Sequence, residues 1–142
     1  MRHCIEAFYF GYREFTARPD RILEERGLGR VHHRILYFVG QNPGIGVGGL
    51  LDILEVSKQA LNAPLRQLIA MNLVENSVAD HDRRIRQLAL TESGRELEAE
   101  LTRVQISLLA SIFESLPDQV EQDWLRVMNT LARQQDTTPE HG

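Results

Sequence analysis

The chain has 142 residues, the length of one domain, and its 42% apolar and 25% charged residues are typical of a globular protein. A net charge of −4 excludes a uniformly basic nucleic-acid coat, and no apolar run is long enough to cross a bilayer. The single cysteine, Cys4, excludes an intrachain disulfide and a cysteine-based zinc cluster. No basic and apolar leader pattern stands at the start, so we expect a cytoplasmic protein without membrane contact.

The first segment predicts an amphipathic helix with an aromatic stripe. Its apolar residues recur at helical spacing: Ile5, Phe8, Tyr9, Tyr12 and Phe15. Pro19 either interrupts this helix or begins a second turn of helix that runs to Arg26. The residues "GLG" at 27–29 then break the pattern.

Two further helices are predicted before residue 57. Residues 30–41, "RVHHRILYFVGQ", favour a buried helix over a strand, since the apolar side chains Val31, Ile35, Phe38 and Val39 fall on one side. The residues "NPG" at 42–44 end it. A short helix is predicted over "GLLDILEV", weakened by Gly48 and Gly49.

The next helix is the first candidate for nucleic-acid contact. Ser57 is a good N-cap, and the helix extends to about Asn72 with an apolar side made of Leu61, Leu65, Leu68 and Ile69. The residues left outward are Lys58, Gln59, Asn62 and Arg66. Amide side chains pair with adenine and cationic ones with guanine. Pro64 removes a backbone donor and clashes with the carbonyl of Ala60, so a kink there would redirect the helix.

A β-hairpin is predicted around Val74–Ala79 and Ile85–Leu90, which flank the polar loop "DHDRR" at 80–84. Arg83, Arg84 and Arg86 fall within four residues near its tip. Arginine suits a narrow minor groove, where negative potential is concentrated. The hairpin is therefore the second candidate for nucleic-acid contact.

The last third predicts two helices. Thr91 or Ser93 caps the first, whose apolar stripe runs through Leu97, Leu101, Val104, Leu108 and Ile112. Pro117 and Asp118 begin the second, which ends in the polar tail "QQDTTPEHG". The whole order is four helices, a hairpin and two helices. Three short helices followed by a hairpin are the order of a winged helix-turn-helix.

The stretch "GIGVGG" offers an alternative, because Gly44, Gly46 and Gly49 have the spacing of a dinucleotide-binding loop. That fold needs an acidic residue about 20 positions later, and nothing acidic lies between Asn62 and Ala70. The glycines therefore favour a tight connection between two helices over a nucleotide-binding enzyme. No catalytic or metal-ligating arrangement stands out, so we expect neither an enzyme nor a cofactor.

Charge is unevenly distributed along the chain. Residues 1–56 carry seven basic and seven acidic groups, residues 57–95 six and four, and residues 96–142 three and nine. The net charges are thus 0, +2 and −6. Nucleic-acid contact is expected in the middle third.

Three segments carry a resemblance to a known family over about residues 27–95. They are "GLGRVHHRILYFVGQNPGIGVGGLLDIL", "EVSKQALNAPLRQLIAMNLVEN" and "DHDRRIRQLALTESGRELEAEL", of which the last is the most specific. They resemble the second and third helices, the recognition helix and the wing of the MarR family of bacterial transcription regulators. The resemblance implies a mainly α fold with a small β-hairpin: a winged helix-turn-helix flanked by N- and C-terminal dimerisation helices.

The resemblance also implies an organisation and a function. One MarR-like domain is expected, with its DNA-binding core at about 30–90, dimerisation helices at about 4–26 and 95–135, and a flexible tail at 136–142. Such proteins are homodimers that bind a near-palindromic operator in double-stranded DNA, usually as repressors released by a small-molecule effector. Ser57, Lys58, Gln59, Asn62 and Arg66, with the wing arginines, are the implied DNA contacts, and Asp82 is expected to orient Arg84.

The implied effector pocket lies near His32 and His33, and Tyr9, Tyr12 and Tyr37 are expected to line the same space. For the histidines themselves, a core or surface role is favoured over a metal site, since nothing fixes a ligand geometry. The redox branch of the family has its reactive cysteine in the first helix. A thiol sensor that uses Cys4 is therefore the alternative function.

Overall fold

The computed structural model describes residues 1–136. Within that range the chain forms six α-helices, two strands and a short 3₁₀-helix: α1 (Arg2–Glu24), α2 (Arg30–Gln41), α3 (Val47–Leu54), α4 (Lys58–Ala70), β1 (Val74–Ala79), β2 (Asp82–Leu90), α5 (Glu92–Glu114), α6 (Gln119–Ala132) and the 3₁₀-helix Arg133–Asp136. The predicted order of helices and hairpin is confirmed. Apart from Asp136, the predicted flexible tail lies outside the described residues.

The chain divides into two compact units, Met1–Gln105 and Ile106–Gly142. The first holds α1 to α4, the hairpin and the first part of α5. Its core consists of aliphatic side chains, mainly leucines: Leu23, Leu28, Ile35, Leu36, Val39, Leu50, Leu61, Leu65, Leu68, Leu73, Val74, Leu88, Leu90, Leu97 and Leu101. In the second unit α6 has no fully buried residue.

α1 departs from the prediction at Pro19. The helix is continuous from Arg2 to Glu24, and Pro19, which lies within it, has its ring buried from solvent. A proline removes one backbone donor, and burial of its ring offsets part of that loss. The helix ends at Glu24 and does not reach Arg26, because Gly27 adopts the left-handed conformation with a φ of 71°.

The glycine-rich stretch connects α2 to α3 and pairs with the hairpin. Gly44 donates its N–H to the carbonyl of Leu88 at 2.9 Å, and Leu88 donates to the carbonyl of Ile45 at 2.8 Å. Gly46 then caps α3, which begins at Val47, two residues earlier than predicted. The expected tight connection between two helices is confirmed, with an added bridge to β2.

Candidate nucleic-acid interface

The turn between α3 and α4 is set by local backbone geometry. Glu55 closes α3 in the left-handed conformation, with a φ of 53°. Two residues later the Oγ of Ser57 accepts the backbone N–H of Ala60 at 3.1 Å, which confirms the predicted N-cap. α3, this turn and α4 form the helix-turn-helix.

α4 has one apolar side and one polar side, as its sequence predicts. Leu61, Leu65 and Leu68 are fully or almost fully buried. On the other side Lys58, Gln59 and Arg66 are exposed, whereas Asn62 is half-buried. The helix is unbroken through Pro64 and ends at Ala70 rather than near Asn72, which adopts the left-handed conformation with a φ of 58°.

The hairpin tip is shorter than predicted. β2 begins at Asp82, so Asp82, Arg83 and Arg84 belong to the strand and only Asp80 and His81 form the turn. The pairing is regular from Val74–Leu90 to Val78–Arg86 and then shifts, since Ala79 pairs with Asp82. Residues 83–85 are therefore extra residues on β2. Such an irregularity strengthens the local twist and redirects side chains.

Asp82 and Arg84 contact each other at this irregularity. The Oδ1 of Asp82 accepts the backbone N–H of Arg84 at 2.9 Å, and the Arg84 guanidinium donates to both carboxylate oxygens at 3.3 Å. The backbone hydrogen bond and then the guanidinium hold the pKa of Asp82 below its ordinary value. The Arg84 side chain nevertheless stays 91% exposed, so its outer face is open to a partner.

Several cations near this surface lack a carboxylate partner. Within residues 1–136 no salt bridge includes Arg66, Arg83 or Arg86. All three side chains are exposed. Through these three arginines, the exposed side of α4 and the hairpin tip present positive charge that is in no salt bridge among the described residues, which suits a polyanion.

His32 connects α2 to α4 instead of facing a cavity. Its Nδ1 accepts the backbone N–H of Gly29 at 3.0 Å, and its Nε2 lies 2.8 Å from the Oε1 of Gln67. Gln67 also donates to the carbonyl of Gly27 at 3.4 Å. No local sequence pattern indicates a role for Gln67, because its partners lie 35 and 40 residues away along the chain.

The other four predicted effector residues are spread over α1 and α2. Tyr12 accepts a hydrogen bond from Arg34 at 3.4 Å, and Tyr9 and Tyr37 are exposed. His33 is half-buried, and burial lowers its pKa while Asp20 and Glu98 act in the opposite direction.

Each unit has a cavity among the residues that the structure describes. A cavity of about 280 Å³ in the first unit is lined by Val39, Gly40, Pro43, Ala89, Leu90, Arg95 and Glu98. One of about 680 Å³ in the second is lined by Ile106, Leu109, Ala110, Phe113, Glu114, Pro117, Asp118, Glu121, Trp124 and Leu125. None of the five predicted effector residues lines either cavity, so the effector pocket stays a prediction.

Other candidate chemistry is limited in the part of the chain that the structure describes. Cys4 is exposed on α1. Among residues 1–136 no group of three or more His, Cys, Asp or Glu side chains is placed to hold a metal ion. Over the same range no helix is both long and apolar enough to cross a membrane.

The sequence of this chain is similar to those of known transcription regulators. A family model described as "MarR family" matches residues 26–85. The HTH-type transcriptional regulator PetP of Rhodobacter capsulatus is 41% identical over 131 residues, which are 92% of this chain and 79% of that protein.

Solved structures show the same fold. FabT of Streptococcus pneumoniae in complex with DNA superposes with a TM-score of 0.82 at 15% identity, covering 93% of this chain and 94% of that one. The S. aureus MepR–DNA complex gives a TM-score of 0.69 at 20% identity, with 90% of this chain and 96% of that one covered.

Proposed function

The chain belongs to the MarR family of transcription regulators, and from that premise we propose that it is a homodimeric repressor of a near-palindromic operator, released by a small-molecule effector. One observation carries the DNA contact: an N-capped helix with an exposed polar side and a hairpin tip with exposed arginines occur in the same compact unit. The structures of FabT and MepR with DNA, which share this fold, support it.

In this proposal α4 enters the major groove. Ser57 and Lys58 lie at its N-terminal end, where backbone N–H groups and the helix dipole favour phosphate. Gln59, Asn62 and Arg66 follow along the outward side and contact base edges. The partial burial of Asn62 restricts its rotamers, which favours it as a contact with a defined geometry.

The hairpin is proposed to contact the flanking backbone and minor groove. Arg83, Arg84 and Arg86 supply the charge there. Asp82 restrains the Arg84 guanidinium through hydrogen bonds to its Nε and Nη2 atoms, and the rest of the group stays open to solvent. A restrained arginine loses less side-chain entropy when it binds DNA.

The dimer is proposed because large apolar side chains are exposed on helices of both units. In α1 they are Ile5, Phe8, Tyr9, Phe10 and Tyr12. In the second unit the helices expose Ile106, Ile112, Trp124, Leu125, Val127 and Leu131, and the turn between α5 and α6 exposes Leu116. Apolar surface of this extent marks an interaction site. The cavity of the second unit has the acidic residues Glu114, Asp118 and Glu121 in its lining, whereas residues 1–13 carry two arginines and one glutamate. The opposite charges favour contact between α1 of one copy and the second unit of the other.

Two copies related by a dyad place their α4 helices roughly 34 Å apart on one side of the duplex. To test this, bound sites are selected from random duplex DNA and affinity is measured at several salt concentrations. Arg66→Ala or Asn62→Ala is expected to weaken binding to the selected duplex by about 1–3 kcal/mol and to make the sequence preference less strict. Arg84→Ala is expected to weaken all sequences evenly and lower the salt slope by about one per subunit.

Arg133→Ala is the matched control, because this arginine is exposed in the second unit, outside the proposed interface. It is expected to bind as the parent does. If Arg66→Ala and Arg84→Ala also bind the selected duplex like the parent at moderate salt, the DNA contact proposed here is wrong.

Effector release rests on family membership and on the first-unit cavity. That cavity of about 280 Å³ has Arg95 and Glu98 in its lining beside aliphatic side chains, which suits a small polar organic molecule. A compound bound there is expected to raise the melting temperature and lower operator affinity. If Glu98→Gln leaves both effects of an active compound unchanged, the effector binds elsewhere.

A further inference from the structure

The side chain of Gln67 ties α4 to the segment that precedes α2. Its Oε1 lies 2.8 Å from the Nε2 of His32, and its Nε2 donates to the carbonyl of Gly27 at 3.4 Å. Gly27 lies in the turn between α1 and α2, and His32 lies in the first turn of α2. Gln67 is exposed and immediately follows Arg66, a proposed base contact.

The direction of each hydrogen bond follows from the others. The Nδ1 of His32 accepts the backbone N–H of Gly29 at 3.0 Å, so a neutral imidazole carries its proton on Nε2. That Nε2–H therefore donates to the Oε1 of Gln67, and the amide nitrogen of Gln67 is left to face the carbonyl of Gly27. The chain of three hydrogen bonds fixes both the tautomer and the amide orientation.

These three linked hydrogen bonds restrain the orientation of α4 in a way that apolar packing does not. Leu61, Leu65 and Leu68 fix which side of α4 faces the core, but apolar burial is non-directional and restrains small rotations of the helix about its axis less sharply than a hydrogen bond does. A hydrogen bond is sensitive to angle and distance. Pro64 also deprives α4 of one internal hydrogen bond three residues before Gln67, so an external restraint on the last turns has more effect.

We propose that His32 and Gln67 are positioning residues for sequence recognition: they set the rotation of α4 and hence the direction of Arg66 and Asn62. The proposal rests on the function proposed above and concerns the same surface. Neither side chain needs to touch DNA. They are expected to change sequence specificity, which is the ratio of the affinity for the selected operator to the affinity for unrelated duplex.

The test measures that ratio for variants that break different links. Gln67→Ala is expected to lower the ratio about fivefold, because a net hydrogen bond contributes on the order of 1 kcal/mol, while unrelated duplex binds as before. Alanine keeps the helix propensity of this exposed position high, so the variant folds. His32→Asn keeps an acceptor near Gly29 but cannot reach Gln67, and it is expected to lower the ratio by the same factor.

Rescue and non-additivity complete the test. His32→Gln places a donor near the position of Nε2 and is expected to restore most of the ratio. The double variant His32→Asn with Gln67→Ala is expected to lose no more than either single variant. A ratio that is unchanged in His32→Asn but lowered in Gln67→Ala would show direct contact of Gln67 with DNA and overturn the proposal.

The proposal would also be overturned if the variants lost equal affinity for selected and unrelated duplex and lost folding stability in parallel. Arg66→Ala separates this failure from a failure of the function itself. If Arg66→Ala loses the ratio while the His32 and Gln67 variants keep it, the positioning proposal is wrong and the DNA contact stands. If Arg66→Ala and Arg84→Ala also keep parental binding, both proposals are wrong.

Discussion

Gly94 lies in the first turn of α5, where the chain leaves the hairpin. Thr91 joins three elements there: its Oγ1 donates to the carbonyl of Asn72 at 2.7 Å and accepts the N–H of Gly94 at 3.0 Å. Its own N–H donates to the carbonyl of Leu73 at 3.1 Å. A Cβ on Gly94 would overlap that same carbonyl oxygen, so only glycine lets α4, β1 and α5 meet this closely.

Gly94→Ala is therefore expected to destabilise the fold by about 3 kcal/mol, since the backbone of Leu73 must move. Gly48→Ala is the matched helical control. A Cβ there meets nothing within 4 Å, and the better helix former is expected to stabilise by about 0.5–1 kcal/mol. Urea unfolding measures both. Similar midpoints for the two variants would contradict the steric account.

His33 links stability to pH. Burial lowers its pKa, and Arg34 acts in the same direction, whereas Asp20 and Glu98 oppose it. Between the lowered value and the ordinary value of about 6.5, the unfolded chain binds a proton that the folded chain does not. Stability contributed by neutral His33 is thus complete above about pH 6.5 and falls as the pH drops through that value towards the folded pKa.

His33→Gln is expected to flatten the dependence of the unfolding free energy on pH just below about pH 6.5. His3→Gln is the control, because His3 is exposed at the start of α1. Denaturant unfolding at half-unit pH steps tests this. An unchanged pH profile in His33→Gln, with a single cooperative transition, would show that another group causes the acid sensitivity.

At the scale of elements, α4 contains a residue that its own backbone disfavours. Pro64 lies in the seventh position of the helix and cannot donate to the carbonyl of Ala60. The helix continues to Ala70 because its leucines are buried on the core, and tertiary packing outweighs the local penalty.

Pro64→Ala is expected to stabilise the protein by about 1–3 kcal/mol, because it restores the missing donor. The same variant is expected to change the operator sequence selected from random DNA, since Arg66 lies two residues after the restored hydrogen-bond donor. Thermal unfolding and site selection measure the two effects. Destabilisation would show that burial of the proline ring contributes more than the hydrogen bond.

Elements with local signals could be predicted from the sequence. α2 follows from its apolar spacing, and the start of α4 follows from Ser57. The path of α1 through Pro19 could not, because burial of the ring depends on residues distant in sequence. Nor could the start of β2 at Asp82, which depends on a shift in cross-strand register. In the candidate site, periodicity predicted the exposed side of α4, but no local pattern marks the link between His32 and Gln67, 35 residues apart.

The negative net charge of the chain comes entirely from the second unit. Residues 1–105 carry 14 basic and 14 acidic groups, and residues 106–142 carry two and six, which gives 0 and −4. The second unit is thus repelled by a duplex. Its exposed apolar side chains suit contact with another copy of the chain better than contact with DNA.

Light scattering at micromolar concentration is expected to give twice the mass of one chain. Val127→Glu introduces a charge at an exposed apolar position of α6 and is expected to shift the protein towards monomer. Gln122→Glu adds the same charge at an exposed polar position of that helix and is expected to leave the dimer intact. A parent protein that is a stable monomer would rule out the proposed dimer.

The bridge between Ile45 and Leu88 gives the hairpin a fixed base and a separable tip. Leu88 and Leu90 are buried at the base, whereas the residues from Glu75 to Val78 and from Arg83 to Arg86 are exposed and only Ala79 is buried beside the turn. Insertions or deletions at the turn Asp80–His81 leave the base untouched. The distance to which the hairpin arginines extend from the core can therefore change, through evolution or design, at little cost in folding free energy.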